Sequence, residues 1–182
     1  MKPAQPRLPG DPSPETSVAR MLRVDHAGEY GAARIYAGQL AVLRHGESAP
    51  VLREMQAQEQ LHLERFADLI VRRRVRPTAM LPLWHLAGFA LGAATAALGE
   101  RAAMACTVAV EEAIEAHYAD QIAALDDSEA ELRDTLGRFR NDELQHRDIG
   151  LQHGAEQAPG YRLLSAAIKA GCKVAIRISE RI

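Results

Sequence analysis

Two short strings in this 182-residue chain pair a carboxylate with an imidazole at helical spacing: Glu59-Gln60-Leu61-His62 and Glu143-Leu144-Gln145-His146. Residues three apart on an α-helix share a face, so each string aims one carboxylate and one imidazole the same way. A single pair of this kind is commonly a solvated face. The second copy, and what precedes each, argues otherwise. Glu29 lies 30 residues before Glu59, and Glu111 lies 32 residues before Glu143. Glu29 is followed by Tyr36-Ala37 and Gln39-Leu40-Ala41, and Glu111 by Tyr118-Ala119 and Gln121-Ile122-Ala123, at the same offsets. A repeat that preserves polar as well as apolar residues points to a duplicated unit with duplicated chemistry.

Brought together, Glu29, Glu59, His62, Glu111, Glu143 and His146 supply four carboxylates and two imidazoles. This is the donor set of di-iron and di-manganese sites in ferritin-like helical bundles. Carboxylate oxygens suit iron and manganese, imidazole suits iron, and four carboxylates offset most of the charge of two metal ions. In the usual arrangement Glu59 and Glu143 bridge the metals while Glu29 and Glu111 are terminal. Glu111 is preferred over Glu112 because it shares its face with Val108, Ile114 and Tyr118, whereas Glu112 shares a more polar face with Glu115 and Ala116. Two readings stand for Tyr36 and Tyr118: ordinary core residues, or residues bordering the cavity beside the metals and touching substrate. His117 is either exposed or placed to position substrate and relay protons. His26, His45, His85 and His153 have no partner at metal spacing and read as structural.

Helices must position these groups. Gly46, Pro77, Gly99, Gly154 and the Pro159-Gly160 pair punctuate the chain into six helical segments. They are expected over about 15–45, 48–76, 83–98, 100–125, 128–153 and 161–182, the fifth opening on a capping box from Ser128 to Glu131. The fold class is all-α: a ferritin-like four-helix bundle of two repeated hairpins, with an apolar crossover helix and a C-terminal amphipathic helix. Residues 1–14, Pro-rich and without an apolar signal-like run, read as a flexible lead-in to a single domain over 15–182.

Composition narrows the function further. With 47% hydrophobic and 25% charged residues and a net charge of −2, the chain is neither a disordered tail nor a nucleic-acid binder driven by positive charge. Two distant cysteines, Cys106 and Cys172, exclude a disulfide framework, a four-cysteine zinc site and an iron–sulfur cluster. From Pro77 to Gly99 there is no Asp, Glu, Lys or Arg. That run is long enough to raise a membrane question. A single span there would leave Glu59 and His62 on one side of the bilayer and Glu111 on the other, unable to share a site. The run therefore reads as the crossover between hairpins, with its outer face entering the lipid interface. Arg72, Arg73, Arg74 and Arg76 precede it, and Lys169, Lys173, Arg177 and Arg181 form a basic stripe in the last helix, as an anionic leaflet favours.

Longer strings carry a family resemblance. RVDHAGEYGAARIYAGQ around Glu29, RVRPTAMLPLW at 74–84, AMACTVAVEEAIEAHY around Glu111, NDELQHRDIG around Glu143 and AGCKVAIRISERI at the C-terminus resemble demethoxyubiquinone hydroxylase, from about Ser17 onward. The resemblance implies a di-iron monooxygenase of ubiquinone biosynthesis that hydroxylates the ring of a polyprenyl demethoxyubiquinol with O2. It implies two iron ions per chain on the same six residues, with NADH or the quinol itself as reductant, and makes His117 and Tyr118 the candidates for positioning the quinone head group or relaying protons and electrons. Its substrate lies in lipid, which implies a peripheral membrane protein on the cytoplasmic face of a bacterial inner membrane, or the matrix face of the mitochondrial one. A homo-oligomer or a ubiquinone-biosynthesis complex fits this setting. The competing readings are a soluble ferritin-like oxidase or peroxidase, and a non-catalytic quinone-binding bundle.

Overall fold

A computed structural model describes residues 12–182. Residues 1–11 of the expected lead-in lie outside the described residues. Six α-helices follow: α1 (Pro14–Leu43), α2 (Ala49–Arg72), α3 (Leu81–Ala97), α4 (Glu100–Ala124), α5 (Ala130–Gln152) and α6 (Tyr161–Ser179). Helices α1 and α2 form one hairpin and α4 and α5 the other, while α3 crosses between them against α1 and α6 packs on α4. No strand occurs among the described residues, and the all-α ferritin-like reading holds.

Helix α1 opens where its chemistry favours it. Pro14 fits the first turn, and the Ser13 hydroxyl accepts from the Thr16 amide at 3.2 Å. The turn after α1 is held from a distance. The Glu100 carboxylate, at the start of α4, accepts from the amides of Glu47 (3.0 Å) and Ser48 (3.1 Å) and from the Ser48 hydroxyl (2.5 Å). One side chain thereby satisfies the open end of α2 and ties the two hairpins together.

Several boundaries differ by a few residues from expectation, and two have a clear physical cause. Helix α2 stops at Arg72 rather than at Arg76, because Arg74 takes a left-handed conformation (φ 53°). The Val75 amide then bonds the Ile70 carbonyl and the Arg74 amide that of Val71, a Schellman closure built on arginine where glycine is usual. The expected capping box at Ser128 does not form. Asp126 accepts from the Ser128 amide (2.9 Å) and hydroxyl (2.5 Å), residues Asp127–Glu129 make a 3-10 turn, and α5 begins at Ala130. Glu131, the box's other half, instead meets Arg65 of α2 at 2.7 Å.

Helix α3 sits against α1 through small residues. A methyl group on Gly92 would collide with the Ile35 carbonyl, and one on Gly38 with the Phe89 carbonyl. Small–small contact brings the backbones close, and α3 buries only Gly88, Gly92, Thr95 and Ala96. Its large apolar side chains, Leu83, Leu86 and Phe89, point outward. Trp84 anchors α3 to α6 by donating to the Ser179 hydroxyl at 3.1 Å, and His85 meets the Tyr30 hydroxyl of α1 at 2.7 Å. No described helix is long and apolar enough to cross a membrane, in line with the crossover reading.

The bundle core has two apolar ends. Tyr36, Leu52, Met55, Met104 and Val108 fill one, and Leu22, Phe66, Leu69, Tyr118, Leu132 and Leu136 fill the other. Between them lies a polar layer.

Candidate metal centre

The polar layer consists of the six residues singled out by spacing. Glu29, Glu59, His62, Glu111, Glu143 and His146 are all at most 2% exposed. They fall into two overlapping groups whose donor atoms lie within 4.8 Å of one another. One is Glu29, Glu59, His62 and Glu143, and the other is Glu59, Glu111, Glu143 and His146. Glu59 and Glu143 belong to both, the two residues expected to bridge. Glu112, the alternative to Glu111, turns away and pairs with Lys169, and Glu115 pairs with Arg140 at 2.5 Å.

The donor atoms face inward without partners. Both oxygens of Glu59 and Glu143, one oxygen each of Glu29 and Glu111, and Nδ1 of both histidines are buried with no hydrogen bond. His62 Nδ1 lies 3.4 Å from Glu29 and 3.4 Å from Glu143, and His146 Nδ1 lies 3.0 Å from Glu59. Buried polar atoms are seldom left unsatisfied, and such a convergence of orphans fits a cation in the middle. The opposite edge of each imidazole is already held. His62 Nε2 lies 3.1 Å from the Asp142 carboxylate, and His146 Nε2 lies 3.2 Å from the Gln58 side-chain oxygen. Both acceptors hold a hydrogen on Nε2, so Nδ1 is the atom of each ring that faces the centre.

Without a cation the layer is electrostatically overloaded. Burial, then repulsion from Glu143, pushes the Glu59 carboxyl well up, and burial followed by Glu143 does the same to Glu111. Burial also raises Glu143. Burial works against the charged form of His62, but the carboxylates of Glu143 and Glu29 outweigh it and lift the imidazole to about 10. Burial likewise pushes Glu29 up, yet His62 and its other partners hold it below the usual carboxylate range. His146 is lowered by burial. Carboxyls forced toward their neutral form become good ligands once a metal supplies the missing positive charge.

The tyrosines are core residues that also bond two of the candidate ligands. Tyr36 and Tyr118 are each 1% exposed and packed in the core. Their hydroxyls also reach the centre: Tyr36 donates to Glu111 Oε1 at 2.6 Å, and Tyr118 donates to Glu29 Oε1. Each tyrosine therefore serves a candidate ligand glutamate of the other hairpin. The repeated glutamines cross over too. Gln39 donates to the Ala103 carbonyl (2.9 Å) and Thr107 hydroxyl (3.3 Å), and Gln121 donates to Asp25 at 2.7 Å. His117 stands outside both donor groups, taking a bond from the Gln121 amide at 2.8 Å and lying 3.7 Å from Asp25. His26, His45, His85 and His153 are in neither group.

Asp142, Gln58 and Asp25 escaped the sequence reading. A signal for the first two was present: each directly precedes a repeated glutamate, at the same register in the two hairpins.

A cavity of about 540 Å³ lies between α1, α3, α4 and α6, with walls that include Gly28, Gly31, Val110, Ile114, Gly171 and Ile176. Gly28 and Val110 directly precede the two terminal glutamates, so this apolar space runs along the same two helices that carry Glu29 and Glu111.

Known proteins resemble this chain along nearly all of its length. The family model described as ubiquinone biosynthesis protein COQ7 matches residues 16–179. The 3-demethoxyubiquinol 3-hydroxylase of Rhodospirillum rubrum is 60% identical over 182 residues, which cover 100% of this chain and 86% of that protein. The mitochondrial NADPH-dependent 3-demethoxyubiquinone 3-hydroxylase of Homo sapiens is 55% identical, over 91% of this chain and 78% of its own. The mitochondrial 5-demethoxyubiquinone hydroxylase of Saccharomyces cerevisiae is 41% identical, over 90% and 77%.

Proposed function

The chain belongs to the COQ7 family of ubiquinone biosynthesis proteins, and from that premise we propose that it hydroxylates the ring of a demethoxyubiquinol at a di-iron centre. The observation that carries the di-iron reading is the pair of overlapping donor groups sharing Glu59 and Glu143. Two irons would be held by Glu59 and Glu143, common to both groups, together with Glu29 and His62 at one end and Glu111 and His146 at the other. When bound, two irons supply activation of O2. The overall change is balanced as follows: a ring C–H becomes C–OH, the second oxygen atom leaves as water, and two electrons and two protons enter. A reduced nicotinamide is the reductant this reading favours, as in the relatives whose names call them NADPH-dependent.

The chain's own residues do the positioning. Tyr36 and Tyr118 hold the terminal carboxylates in place, and Asp142 and Gln58 fix the imidazole tautomers. Leu22, Phe66, Leu132 and Leu136 cap the layer against water at one end, and Leu52, Met55 and Met104 do so at the other. His117, at the edge of the polar network, is the group through which protons reach the centre from outside. The apolar cavity beside α1 and α4 accepts the quinol, with the polyprenyl tail leading toward lipid.

Membrane association is peripheral in this reading. It is supported by the outward Leu83, Leu86 and Phe89 of α3 and by the basic residues Lys173 and Arg177 of α6. The surface is the cytoplasmic side of a bacterial inner membrane, or its mitochondrial matrix equivalent.

The test uses a strain unable to hydroxylate demethoxyubiquinone. Wild type restores ubiquinone, whereas Glu143→Ala and His146→Ala do not, and purified wild type carries two irons per chain. Restoration by both ligand variants would sink the di-iron mechanism.

A further inference from the structure

Superposing the two hairpins by their repeat makes Asp142 the counterpart of Gln58 and Asp25 the counterpart of Thr107. Every one of these residues sits beside the polar layer, and both acidic members fall on the same half. Asp142 faces His62 Nε2, and Asp25 lies one helical turn before Glu29. The other half has an amide on His146 and a hydroxyl one turn before Glu111. Resting on the di-iron reading, we propose that the two metal positions are inequivalent: the one bounded by Glu29 and His62 takes a divalent cation first and more tightly than the one bounded by Glu111 and His146.

The physical cause is the acceptor behind each imidazole. A hydrogen bond from Nε2–H to a carboxylate puts more electron density on Nδ1 than one to an amide oxygen, because the acceptor is charged. The two bonds are otherwise matched, at 3.1 and 3.2 Å and on the same ring edge. Asp142 is 29% exposed, so its field through space is screened, and the direct hydrogen bond carries the difference. Asp25 adds to it. It is 2% exposed, and its Oδ2 has no partner while Oδ1 accepts from Gln121. Thr107 accepts from Gln39 at the matching place, so the hydrogen bond behind each imidazole remains the main difference between the halves.

Titrating the metal-free full-length chain with Co(II), followed by calorimetry and visible absorbance, tests this. Two binding steps are expected, separated by about tenfold or more, the range that outer partners of ligating histidines command. His62→Ala removes the tight step and His146→Ala the weak one. Asp142→Asn narrows the gap by weakening the first step, and Gln58→Glu narrows it by strengthening the second. Two steps of equal affinity in wild type would overturn the proposal. So would loss of the tight step in His146→Ala, or an unchanged gap in both Asp142→Asn and Gln58→Glu. Total uptake of fewer than two Co(II) per chain at saturation would instead overturn the di-iron reading beneath it.

Discussion

Tyr36 of the first hairpin donates its hydroxyl hydrogen to Glu111 of the second at 2.6 Å, in a site where both residues are 1% exposed. Tyr118 does the same for Glu29 in the reverse direction. Glu111 has one oxygen satisfied by Tyr36 and the other unpartnered. Tyr36→Phe keeps the ring packing and leaves both carboxylate oxygens bare. A buried acceptor stranded in this way costs about 1–3 kcal/mol. The metal-free Tyr36→Phe protein should therefore unfold roughly 2–12 °C below wild type, at about 2–4 °C per kcal/mol for a chain of this size. Differential scanning calorimetry of the chelated protein measures it. Metal addition should recover part of the loss, because the bare oxygen becomes free to ligate.

The metal-free centre predicts an unusual pH response. Glu59, Glu111 and Glu143 have raised folded-state pKa values, chiefly through burial, so ionising them costs folding energy that vanishes as pH falls. His62, lifted to about 10, contributes stability that is full below its unfolded value and fades as pH rises through 10. Glu29 is shifted down, and its contribution is lost only below the ordinary carboxylate range. Between pH 7 and pH 5.5 the raised carboxyls and His62 favour the folded chain on acidification, and together they outweigh the opposing imidazoles His146, His26 and His117, which burial lowers. The chelated protein should gain stability on acidification across that window. The metal-loaded protein should not, since its ligands must lose their protons to bind. Urea unfolding at the two pH values, with and without Fe(II) under anaerobic conditions, checks both halves; a chelated protein that weakens on acidification would contradict this account.

The contact between α1 and α3 leaves no room for a methyl group. Gly92→Ala sets Cβ against the Ile35 carbonyl, a backbone atom that cannot swing aside. Overpacking of this kind costs about 1–3 kcal/mol. The expected result is a lower melting temperature and looser protection of α3 amides in hydrogen exchange. Gly171→Ala, with nothing near its added Cβ in α6, is the matched control and should lose no stability.

Helix α3 carries the test of membrane contact. Leu86 is 69% exposed and Phe89 36% exposed, so replacing both with glutamate disturbs little of the core. If these side chains enter lipid, each substitution forfeits about 1.5–3 kcal/mol of apolar transfer. Co-sedimentation with anionic vesicles should then fall at least tenfold while the thermal unfolding midpoint stays within about 2 °C of wild type. Undiminished vesicle binding would place the membrane face elsewhere.

Much of this architecture could be read from the chain because its determinants are local. The Glu-x-x-His strings need only helical spacing to align a carboxylate with an imidazole. The repeat then argued that two such strings meet, and α3 could be assigned as a crossover because a metal site spanning it would otherwise be torn apart. Legibility failed where partners come from another hairpin. Ser128 followed by Glu131 has the form of a capping box, but Arg65 draws Glu131 away and Asp126 takes over the cap. The end of α2 was misplaced because arginine rarely adopts the left-handed conformation that Arg74 takes. Asp142 and Gln58 acquire their roles only across the bundle, each facing a histidine of the opposite hairpin. Glu100, at the start of α4, reveals nothing in sequence of the distant turn that it holds.

The crossed tyrosines have a further consequence for how the molecule is put together. Neither hairpin contains a finished half of the centre: the tyrosine that serves Glu29 and the aspartate that faces His62 both arrive from the second hairpin, and the debt is returned through Tyr36 and Gln58. The chain behaves as a dimer of hairpins joined by a tether, and α3 is that tether, raising the local concentration of one half around the other. The polar layer is therefore a docking interface in its own right, and the last place in the bundle where an error of assembly could go unnoticed.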